Sequence, residues 1–197
     1  SCRLDKGTHR AINRFRSFVY KASWNHAKTC WVLKCDIRKF FEHINHDILL
    51  SILRRRISDC ETMLLLENII RSFSSAPGRG LPLGNLTSQL FDNIYMNEFD
   101  QVMKHKLKTK YYIRYADDFV VLSQDKSPLE ELLPKIDDFL SEYLELKLHP
   151  DKISIKTLAS GIDFLGWVHF PDHRVLRTTT KRRMIKRIQE RKVNEAT

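Results

Sequence analysis

Apolar residues recur every three or four positions in several stretches of the chain, which is the spacing of a helix with one buried face. On this pattern we predict helices in five places: after Thr8, an expected N-cap; after Asp47; from Met63 to Phe73; from Leu83 to about His105; and from Leu129 to Leu144. The third segment is so apolar that we expect it to be buried on most sides. Thr180 is the expected cap of a last, very basic helix.

The helix near Leu129 carries two conflicting signals. Ser127, Pro128 and Glu130 fit a capping box with proline in the first turn. Pro134 lacks a backbone N–H and its ring clashes with the preceding turn, so we expect a kink or a late start there.

Short runs rich in β-forming residues alternate with these helices. The run Trp31–Cys35 is continuous and apolar and ends in a carboxylate, Asp36, which is typical of a buried strand. The runs Tyr111–Ala116 and Phe119–Leu122 are separated only by Asp117-Asp118, the signature of a hairpin. Two more short strands are predicted, Ile153–Lys156 and Phe164–Phe170. Because the hairpin pairs its strands antiparallel and helices and strands are mixed along the chain, the predicted class is α+β.

The net charge of +10 on 197 residues points to an anionic partner, nucleic acid before a membrane surface. The charge is unevenly placed: residues 1–28 carry a net +6, residues 174–197 a net +7, and residues 29–173 a net −3. With 42% apolar and 29% charged residues the chain is neither disordered nor a disulfide-rich mini-protein, and its length suits one domain.

Several other classes of protein are disfavoured by what the sequence lacks. The longest apolar runs fall far short of the ~20 residues that span a bilayer, so we expect no membrane segment. Four cysteines (Cys2, Cys30, Cys35 and Cys60) and eight histidines show no zinc spacing, so we expect reduced thiols, ordinary histidines and a cytoplasmic location. The chain carries no secretory signal. Because it begins with Ser instead of Met, we expect a fragment of a longer protein.

Three aspartates stand out because they lie at the ends of apolar strands. Asp36 closes the first strand, and Asp117 and Asp118 lie at the tip of the hairpin. If these strands are neighbours in one sheet, the carboxylates converge at one edge and offer the hard oxygen ligands that Mg²⁺ prefers. The alternative is that Asp36 caps the following segment and the other two merely form a turn. The spacing alone leaves both interpretations open.

Five motifs in a fixed order resemble those of a known family, and this resemblance favours one of the two interpretations that the spacing leaves open. Tyr115-Ala-Asp-Asp118, between apolar strands, resembles the catalytic box of reverse transcriptases, and Asp36-Ile-Arg-Lys-Phe-Phe41 resembles the first carboxylate box of that family. The segment 80–89, a glycine loop opening into a helix, is similar to the box between them. Leu148-His-Pro-Asp-Lys152 resembles the lysine-bearing box, and Phe164-Leu-Gly-Trp167 the primer grip.

The resemblance implies a polymerase palm, an antiparallel sheet with helices packed on one face, and a divalent-metal centre. Asp36 and Asp117 would bind two Mg²⁺ ions, for which Mn²⁺ is the expected substitute. The Ile37 carbonyl would be a further ligand and Asp118 the weaker third carboxylate. Two such ions would lower the pKa of an attacking hydroxyl and stabilise the leaving oxygen of phosphoryl transfer.

The same resemblance implies how a nucleotide is held. Lys39 and Phe40 would offer backbone N–H groups to the triphosphate, and Lys152 would protonate the leaving pyrophosphate; the alternative for Lys152 is a solvated loop lysine. Phe41 stands where the family has its steric gate against a ribose 2′-hydroxyl, and its alternative is a core aromatic ring beside Phe40. Deoxynucleotides are therefore the expected substrates.

The glycine loop departs from many relatives in a way that points to a subtype. Gly80, Leu83 and Gly84 would lie against the incoming nucleotide and the template base. Many relatives carry Gln in place of Leu83 and Ser-Pro in place of Ser88-Gln89. The pattern here resembles the reverse transcriptases of diversity-generating retroelements, with group II intron and retron enzymes as near relatives.

The remaining motifs are implied to hold primer and template. Tyr115 and the primer-grip residues Phe164, Leu165 and Gly166 would contact the primer end, while Trp167 fits a core position equally well. The basic helix resembles the start of a thumb that follows the duplex backbone, although a run of charge on a helix is often only a solvated face; its cations are Lys181, Arg182, Arg183, Lys186, Arg187, Arg191 and Lys192.

On this interpretation residues 1–28 are part of the fingers, 29–170 the palm and 171–197 the start of the thumb, with the chain truncated at both ends. The expected reaction is RNA-directed DNA synthesis, with an RNA template, a DNA or RNA primer, deoxynucleotides and an accessory protein of the retroelement as partners. Two alternatives stay open. One is an RNA-directed RNA polymerase, and the other is a nucleic-acid-binding module that keeps the palm fold without catalysis.

Overall fold

The computed structural model describes the backbone of residues 6–195 and the side chains of residues 6–190. Seven α-helices are described: α1 (Thr8–Ala22), α2 (Phe40–His43), α3 (His46–Arg54), α4 (Cys60–Arg71), α5 (Leu86–Gln101), α6 (Ser127–Leu144) and α7 (Thr178–Glu195). The strands are β1 (Trp31–Asp36), β2 (Tyr112–Tyr115), β3 (Asp118–Ser123), β4 (Ser154–Thr157), β5 (Ile162–Phe164), β6 (Trp167–His169) and β7 (Arg174–Leu176).

Two antiparallel sheets form from these strands. The larger has the order β2-β3-β1-β4, so the β2–β3 hairpin lies directly beside β1. The strands that carry Asp36, Asp117 and Asp118 are thus neighbours, which is the condition for the three carboxylates to converge. The smaller has the order β5-β6-β7 and leads into α7. The α+β class and the antiparallel sheet predicted from the sequence are confirmed.

The larger sheet is buried on both faces because alternate residues of its central strands point into two separate apolar clusters. Leu33, Cys35, Phe119 and Val121 pack against α3, α5 and α6. Their neighbours Val32, Val120 and Leu122 pack against α1 and β5. The layer of helices expected on one face is present, and α1 covers part of the opposite face, which the expectation of helices on a single face had missed. Both central strands are apolar at nearly every position. Because both faces of such strands look alike in the sequence, the pattern cannot indicate which face of the sheet a given helix covers.

Helix α4 corrects one expectation about burial. We expected the segment from Met63 onward to be buried on most sides, but only Met63 and Ile70 are buried in it. Leu64 and Leu65 are 63% and 60% exposed. Adjacent leucines point to different sides of a helix, so a run of them looks apolar all round. The sequence pattern therefore overstates how much of the helix the rest of the domain covers.

The helix starts differ from the predicted caps. Gly7, not Thr8, is the N-cap of α1, and the hydroxyl of Thr8 donates a hydrogen bond to Tyr115 at 3.2 Å. Helix α7 begins at Thr178, two residues before Thr180. In each case the backbone continues helical through the polar residue because its hydroxyl is not needed as a cap.

Helix α6 begins at Ser127 after the N-cap Lys126, so the capping box does not form; the Ser127 hydroxyl lies 3.4 Å from the carboxylate of Glu131. Pro134 lies inside the helix without delaying its start, so of the kink or late start that we expected, the late start does not occur. Tertiary packing outweighs the one missing N–H, because five residues of the helix are buried: Leu129, Leu132, Ile136, Leu140 and Leu144.

The last strands correct a further expectation. The segment 164–170 is not one strand but the turn and second arm of a hairpin, in which Phe164 pairs with Trp167. Leu165 and Gly166 form the turn with φ values of 53° and 81°. Glycine suits such a left-handed position, and the motif Phe-Leu-Gly-Trp therefore encodes a tight turn.

Cys30 and Cys35 are buried free thiols, and burial raises their pKa to about 11 and about 12. Cys60 is free and exposed, whereas Cys2 lies outside the described residues. Across residues 6–195, no helix is both long and apolar enough to cross a bilayer.

Candidate active site

The three aspartates meet at one edge of the larger sheet. Asp36 is the last residue of β1 and lies opposite Asp118, the first residue of β3. The Ile37 N–H donates to the Asp117 carbonyl at 3.2 Å, which joins the end of β1 to the tip of the hairpin. The two-residue turn is Ala116-Asp117, not Asp117-Asp118 as predicted, because Asp118 pairs with Tyr115 within the ladder. Ala116 takes the left-handed φ of 53° that this turn requires.

Two lysines lie against these carboxylates. The Lys152 ammonium donates to Asp36 Oδ1 at 2.9 Å, and Lys34 Nζ lies 3.6 Å from Asp118 Oδ2. The other oxygen of Asp118 is buried and has no hydrogen-bond partner within the described part of the chain. A buried carboxylate oxygen without a donor is costly unless a cation or a proton satisfies it.

The acid–base properties of the site follow from this crowding. The pKa of Asp118 is raised to about 6, mainly by burial; Lys34 opposes this rise, and the charges of Asp36 and Asp117 contribute to it. Burial also raises the pKa of Asp117, with repulsion from Asp36 adding to it and Lys152 and Arg114 opposing it. The edge of the sheet therefore holds more negative charge than its own lysines neutralise.

This arrangement fits a divalent cation in its donor chemistry. Carboxylate oxygens are the hard ligands that Mg²⁺ selects, and the orphaned oxygen of Asp118 lacks only a positive partner. In the described residues no three His, Cys, Asp or Glu side chains are gathered into a ready-made cage. Mg²⁺ sites that use one or two carboxylates plus substrate phosphates do not need such a cage.

Asp118→Asn is expected to change how stability depends on pH. The folded-state pKa of Asp118, about 6, exceeds the ordinary value of 3.8, so ionisation disfavours the folded state. The stability that the protonated Asp118 carboxyl contributes to the folded state is fully present below about pH 4 and is lost as the pH rises through 6. Between pH 4 and 7 in a chelator, the wild type should lose about 2–3 kcal/mol relative to Asp118→Asn. Urea unfolding at both pH values measures this. Parallel pH profiles for the two proteins would contradict the assignment, and Asp125→Asn, at an exposed position, serves as the control.

The residues after Asp36 turn sharply beneath the site. Ile37 is buried and forms an antiparallel bridge with Leu148. Lys39 takes a left-handed φ of 46° at the N-cap of α2, and its ammonium pairs with Glu42 at 2.8 Å. Phe40 is buried in the core, whereas the half-buried Phe41 faces a cleft.

Some residues of the glycine loop pack inside the domain, and others line the cleft that Phe41 faces. Gly80 packs against Ser75, where an added Cβ would approach the Ser75 Oγ to 2.2 Å, so this glycine serves a close contact inside the loop. Gly84, at φ 93°, and Leu83, 76% exposed, both line the cleft. At the start of α5, Ser88 is buried and its neighbour Gln89 lines the cleft.

The cleft, about 750 Å³, lies beside the tip of the hairpin, with Tyr115 and Ala116 in its wall. Its lining also includes four cations that were not predicted as site residues: Lys6, Arg10, Arg14 and Lys104. The sequence shows a surplus of basic charge in residues 1–28, but no pattern in it indicates that α1 packs beside the hairpin.

A buried ion network supports the hairpin from below and was also missed. Arg114, 5% exposed, donates to both oxygens of Asp100 at 2.9 and 2.8 Å and to the Ala116 carbonyl at 3.0 Å. Tyr112 donates to Asp100 at 2.7 Å. Asp92 lies 4.0 Å from Arg114, and burial raises its pKa to about 7. The only sequence signal was an arginine inside an apolar strand, which by itself names no partner.

The residues predicted to hold primer and template are spread around the site. Tyr115 ends β2 and accepts a hydrogen bond from Thr8. Phe164 is fully buried, and the Leu165-Gly166 turn is fixed to α7 because Arg177 N–H donates to the Gly166 carbonyl at 3.0 Å. Lys181, Arg182 and Arg183 follow on the first turns of α7, and all three are exposed. Arg191 and Lys192 lie beyond the side chains that the structure describes.

Comparison with known proteins places this geometry in a family. Residues 2–169 match the profile of the family described as reverse transcriptase (RNA-dependent DNA polymerase). Protein YkfC of Escherichia coli (strain K12) is 27% identical over 217 aligned residues, covering 91% of this chain and 55% of that protein. The putative COX1/OXI3 intron 2 protein of Saccharomyces cerevisiae is 23% identical, covering 73% of this chain and 24% of that protein. The chain thus spans about half the length of the first relative and a quarter of the second.

Among solved structures, telomerase from Candida tropicalis, truncated from its C-terminal domain, superposes with a TM-score of 0.64. The identity is 16%, and the match covers 86% of this chain and 39% of that one, which is a likeness of fold. The family profile covers far more than half of the sequence and includes all three aspartates, the glycine loop and the lysine-bearing segment. The chain belongs to the reverse transcriptase family.

Proposed function

We propose that the chain is the catalytic palm of an RNA-directed DNA polymerase, which adds deoxynucleotides to a primer 3′-hydroxyl on an RNA template. The observation that carries the proposal is the meeting of Asp36, Asp117 and Asp118 at one sheet edge, with an orphaned oxygen on Asp118. Three partly buried acids in one place are costly unless cations compensate them, which favours a metal-binding catalytic site over a module that only binds nucleic acid.

In this proposal Asp36, Asp117 and the Ile37 carbonyl hold two Mg²⁺ ions, with Asp118 as the weaker third carboxylate and Mn²⁺ as a substitute. Bound there, the ions would supply charge stabilisation to the attacking and leaving oxygens of an in-line displacement. The raised pKa values of Asp117 and Asp118 support the assignment. Burial is their main cause and repulsion between the acids adds to it, and a cation bound there would favour the ionised carboxylates.

The chain's own residues would divide the remaining tasks. The backbone N–H groups of Lys39 and Phe40 would bind the triphosphate, at the turn where Lys39 is left-handed. The primer 3′-hydroxyl gives its proton to solvent as its oxygen forms a bond to the α-phosphorus, and the bond from that phosphorus to the bridging oxygen breaks. Lys152 would give a proton to the departing pyrophosphate. Its ammonium is half-exposed and held by one carboxylate, so it is able to reach a ligand above Asp36.

Phe41→Ala is expected to weaken discrimination against ribonucleotides. In the proposed gate the ring of Phe41, which faces the cleft, leaves no room for a 2′-hydroxyl. Removing it should raise ribonucleotide incorporation relative to deoxynucleotide incorporation by roughly 10- to 100-fold, a loss of steric rejection worth about 1.4–2.8 kcal/mol. Competing single-nucleotide incorporation measures the ratio.

The matched control is Phe18→Ala, since Phe18 is a partly buried ring packed at the other apolar cluster. An unchanged ratio in Phe41→Ala would instead favour an RNA-directed RNA polymerase or a purely structural ring. The non-catalytic alternative predicts no incorporation of either nucleotide.

We assign the enzyme to a diversity-generating retroelement on the basis of its glycine loop. Leu83 is an exposed apolar side chain in the cleft where many relatives have Gln, and the loss of a polar contact there is compatible with loose base selection. The likeness to a yeast intron 2 protein favours a second candidate, an intron-encoded enzyme. A template/variable repeat pair in the neighbouring DNA would support the first subtype, and a flanking intron the second.

The remaining parts of the proposal concern partners and location. Residues 1–28 would belong to the fingers, 29–170 to the palm and 171–197 to the thumb, whose basic face follows the backbone of an RNA–DNA duplex. We place the enzyme in the cytoplasm, with an RNA template, a primer, deoxynucleotides and an accessory protein of the retroelement as its partners.

The experiment that tests the proposal is primer extension on RNA with Mg²⁺ and one deoxynucleotide at a time. The protein expressed from its full reading frame should add the nucleotide complementary to the next template base. Absence of Mg²⁺-dependent incorporation in a folded protein would reject the proposed function.

A further inference from the structure

We propose that Lys34 is a positioning residue that fixes Asp118 and ties the β5–β6 hairpin to the carboxylates. Lys34 lies in β1 two residues before Asp36, so both side chains emerge on the same face of the sheet. Its ammonium donates to the Asp163 carbonyl at 2.6 Å and lies 3.6 Å from Asp118 Oδ2. The inference rests on the proposed function of this edge, which it deepens.

The surroundings make Lys34 more than an incidental surface cation. Its side chain is 17% exposed, and the same face of the sheet carries the buried residues Val32 and Val120, which share an apolar cluster with Phe164 of β5. An ammonium next to such an apolar cluster is costly unless its charge and its N–H groups are satisfied. Here both needs are met at once, because Asp118 supplies the charge and Asp163 a carbonyl.

Lys34 differs from the second lysine of the site in how it is held. Lys152 is 51% exposed and contacts Asp36 from a short loop, so it can leave when another cation arrives. Lys34 projects from the middle of a central strand and is anchored at its far end by a second element. Asp36 is thus paired with a removable charge, whereas one oxygen of Asp118 is paired with a fixed one. The fixed ammonium makes Asp118 the weaker ligand for a metal ion.

The second contact of Lys34 connects the carboxylates to the proposed primer-holding turn. Asp163 lies in β5 immediately before Phe164, and the Leu165-Gly166 turn follows. The Asp163 carboxylate is in turn paired with Arg177, just before α7. Lys34 therefore sets the distance between Asp118 and the turn that would hold the primer end.

The test uses Lys34→Met, which keeps the length of the side chain and removes its charge, and Lys34→Arg, which keeps the charge and changes its shape. Lys156→Met is the matched control, because Lys156 is an exposed lysine on the neighbouring strand β4, paired with Val32 in the register. Mn²⁺ binding is measured without nucleic acid, and the KM for primed RNA is measured separately from kcat. Thermal unfolding reports whether each variant is folded.

Lys34→Met should bind Mn²⁺ about five- to tenfold more tightly than the wild type, because a unit charge near Asp118 is removed. Its KM for primed RNA should rise about tenfold with a smaller change in kcat. Lys34→Arg should keep the Mn²⁺ affinity within twofold and still raise this KM. Lys156→Met should change neither by more than twofold.

Unchanged or weaker Mn²⁺ binding in a folded Lys34→Met would overturn the proposal, as would an unchanged KM in Lys34→Arg. If Lys34→Met does not fold, the Lys34→Arg result decides alone. A wild type that binds Mn²⁺ but extends no primer would reject the proposed function, while the Mn²⁺ comparison would still decide the role of Lys34.

Discussion

Asp117→Asn is expected to reduce nucleotide incorporation by at least about 10³-fold, since losing one preorganised stabiliser of developing charge already costs 10²- to 10³-fold. Asp117 lies at the tip of the hairpin, next to the backbone of Ile37 and opposite the end of β1. An amide at this position cannot supply the charge that attracts a divalent cation. Single-turnover incorporation of one deoxynucleotide on primed RNA measures the loss.

The fold of Asp117→Asn should survive, because burial already raises the pKa of this carboxyl and a neutral amide removes that cost. Thermal unfolding in a chelator should therefore show a melting temperature equal to or above that of the wild type. Asp125→Asn, at an exposed position after β3, should retain full activity. An Asp117→Asn protein that keeps activity within tenfold of the wild type would remove Asp117 from the catalytic centre.

Arg114→Met is expected to lower the free energy of unfolding by about 3–5 kcal/mol, the range found when one partner of a buried ion pair is removed. Arg114 is 5% exposed and is the bidentate partner of Asp100, itself 15% exposed. Without the guanidinium, Asp100 stays buried with its charge uncompensated, and the carbonyl of Ala116 loses its donor. Urea unfolding measures the change.

Arg114→Lys should recover only part of this loss, because an ammonium cannot make two parallel bonds to Asp100 and reach Ala116 as well. Arg56→Met, at an exposed position after α3, should stay within about 0.5 kcal/mol of the wild type. A loss below 1 kcal/mol in Arg114→Met would mean that the network does not stabilise the hairpin.

The parts of the fold that depend on local pattern could be predicted from the sequence. The pattern predicts three buried strands with acids at their ends: the apolar run that ends in Asp36 and the two apolar runs on either side of Asp117-Asp118. Their pairing follows from the shortness of the hairpin and the family resemblance. The boundaries moved by one or two residues, as when Asp118 joined the ladder, because cross-strand hydrogen bonds decide them.

The parts that depend on distant partners could not be predicted. Arg114 and Asp100 are 14 positions apart, and Lys34 and Asp163 are 129 apart, so no spacing rule connects them. Leu64 looked like a core residue because its neighbours are apolar, yet the domain offers it no cover. Gly80 remains a predicted nucleotide contact, and its close packing against Ser75 is a further constraint that the motif did not indicate.

The most direct test of the central claim is template-directed extension of a primer on RNA. Four templates that differ only in the next base are each offered one deoxynucleotide at a time, with Mg²⁺ and then with a chelator, using the protein from its full reading frame. The account predicts one added nucleotide, chosen by the template base, lost in the chelator and lost in Asp117→Asn. Extension that ignores the template, or no extension by a protein that is folded and binds the primed RNA, would contradict it.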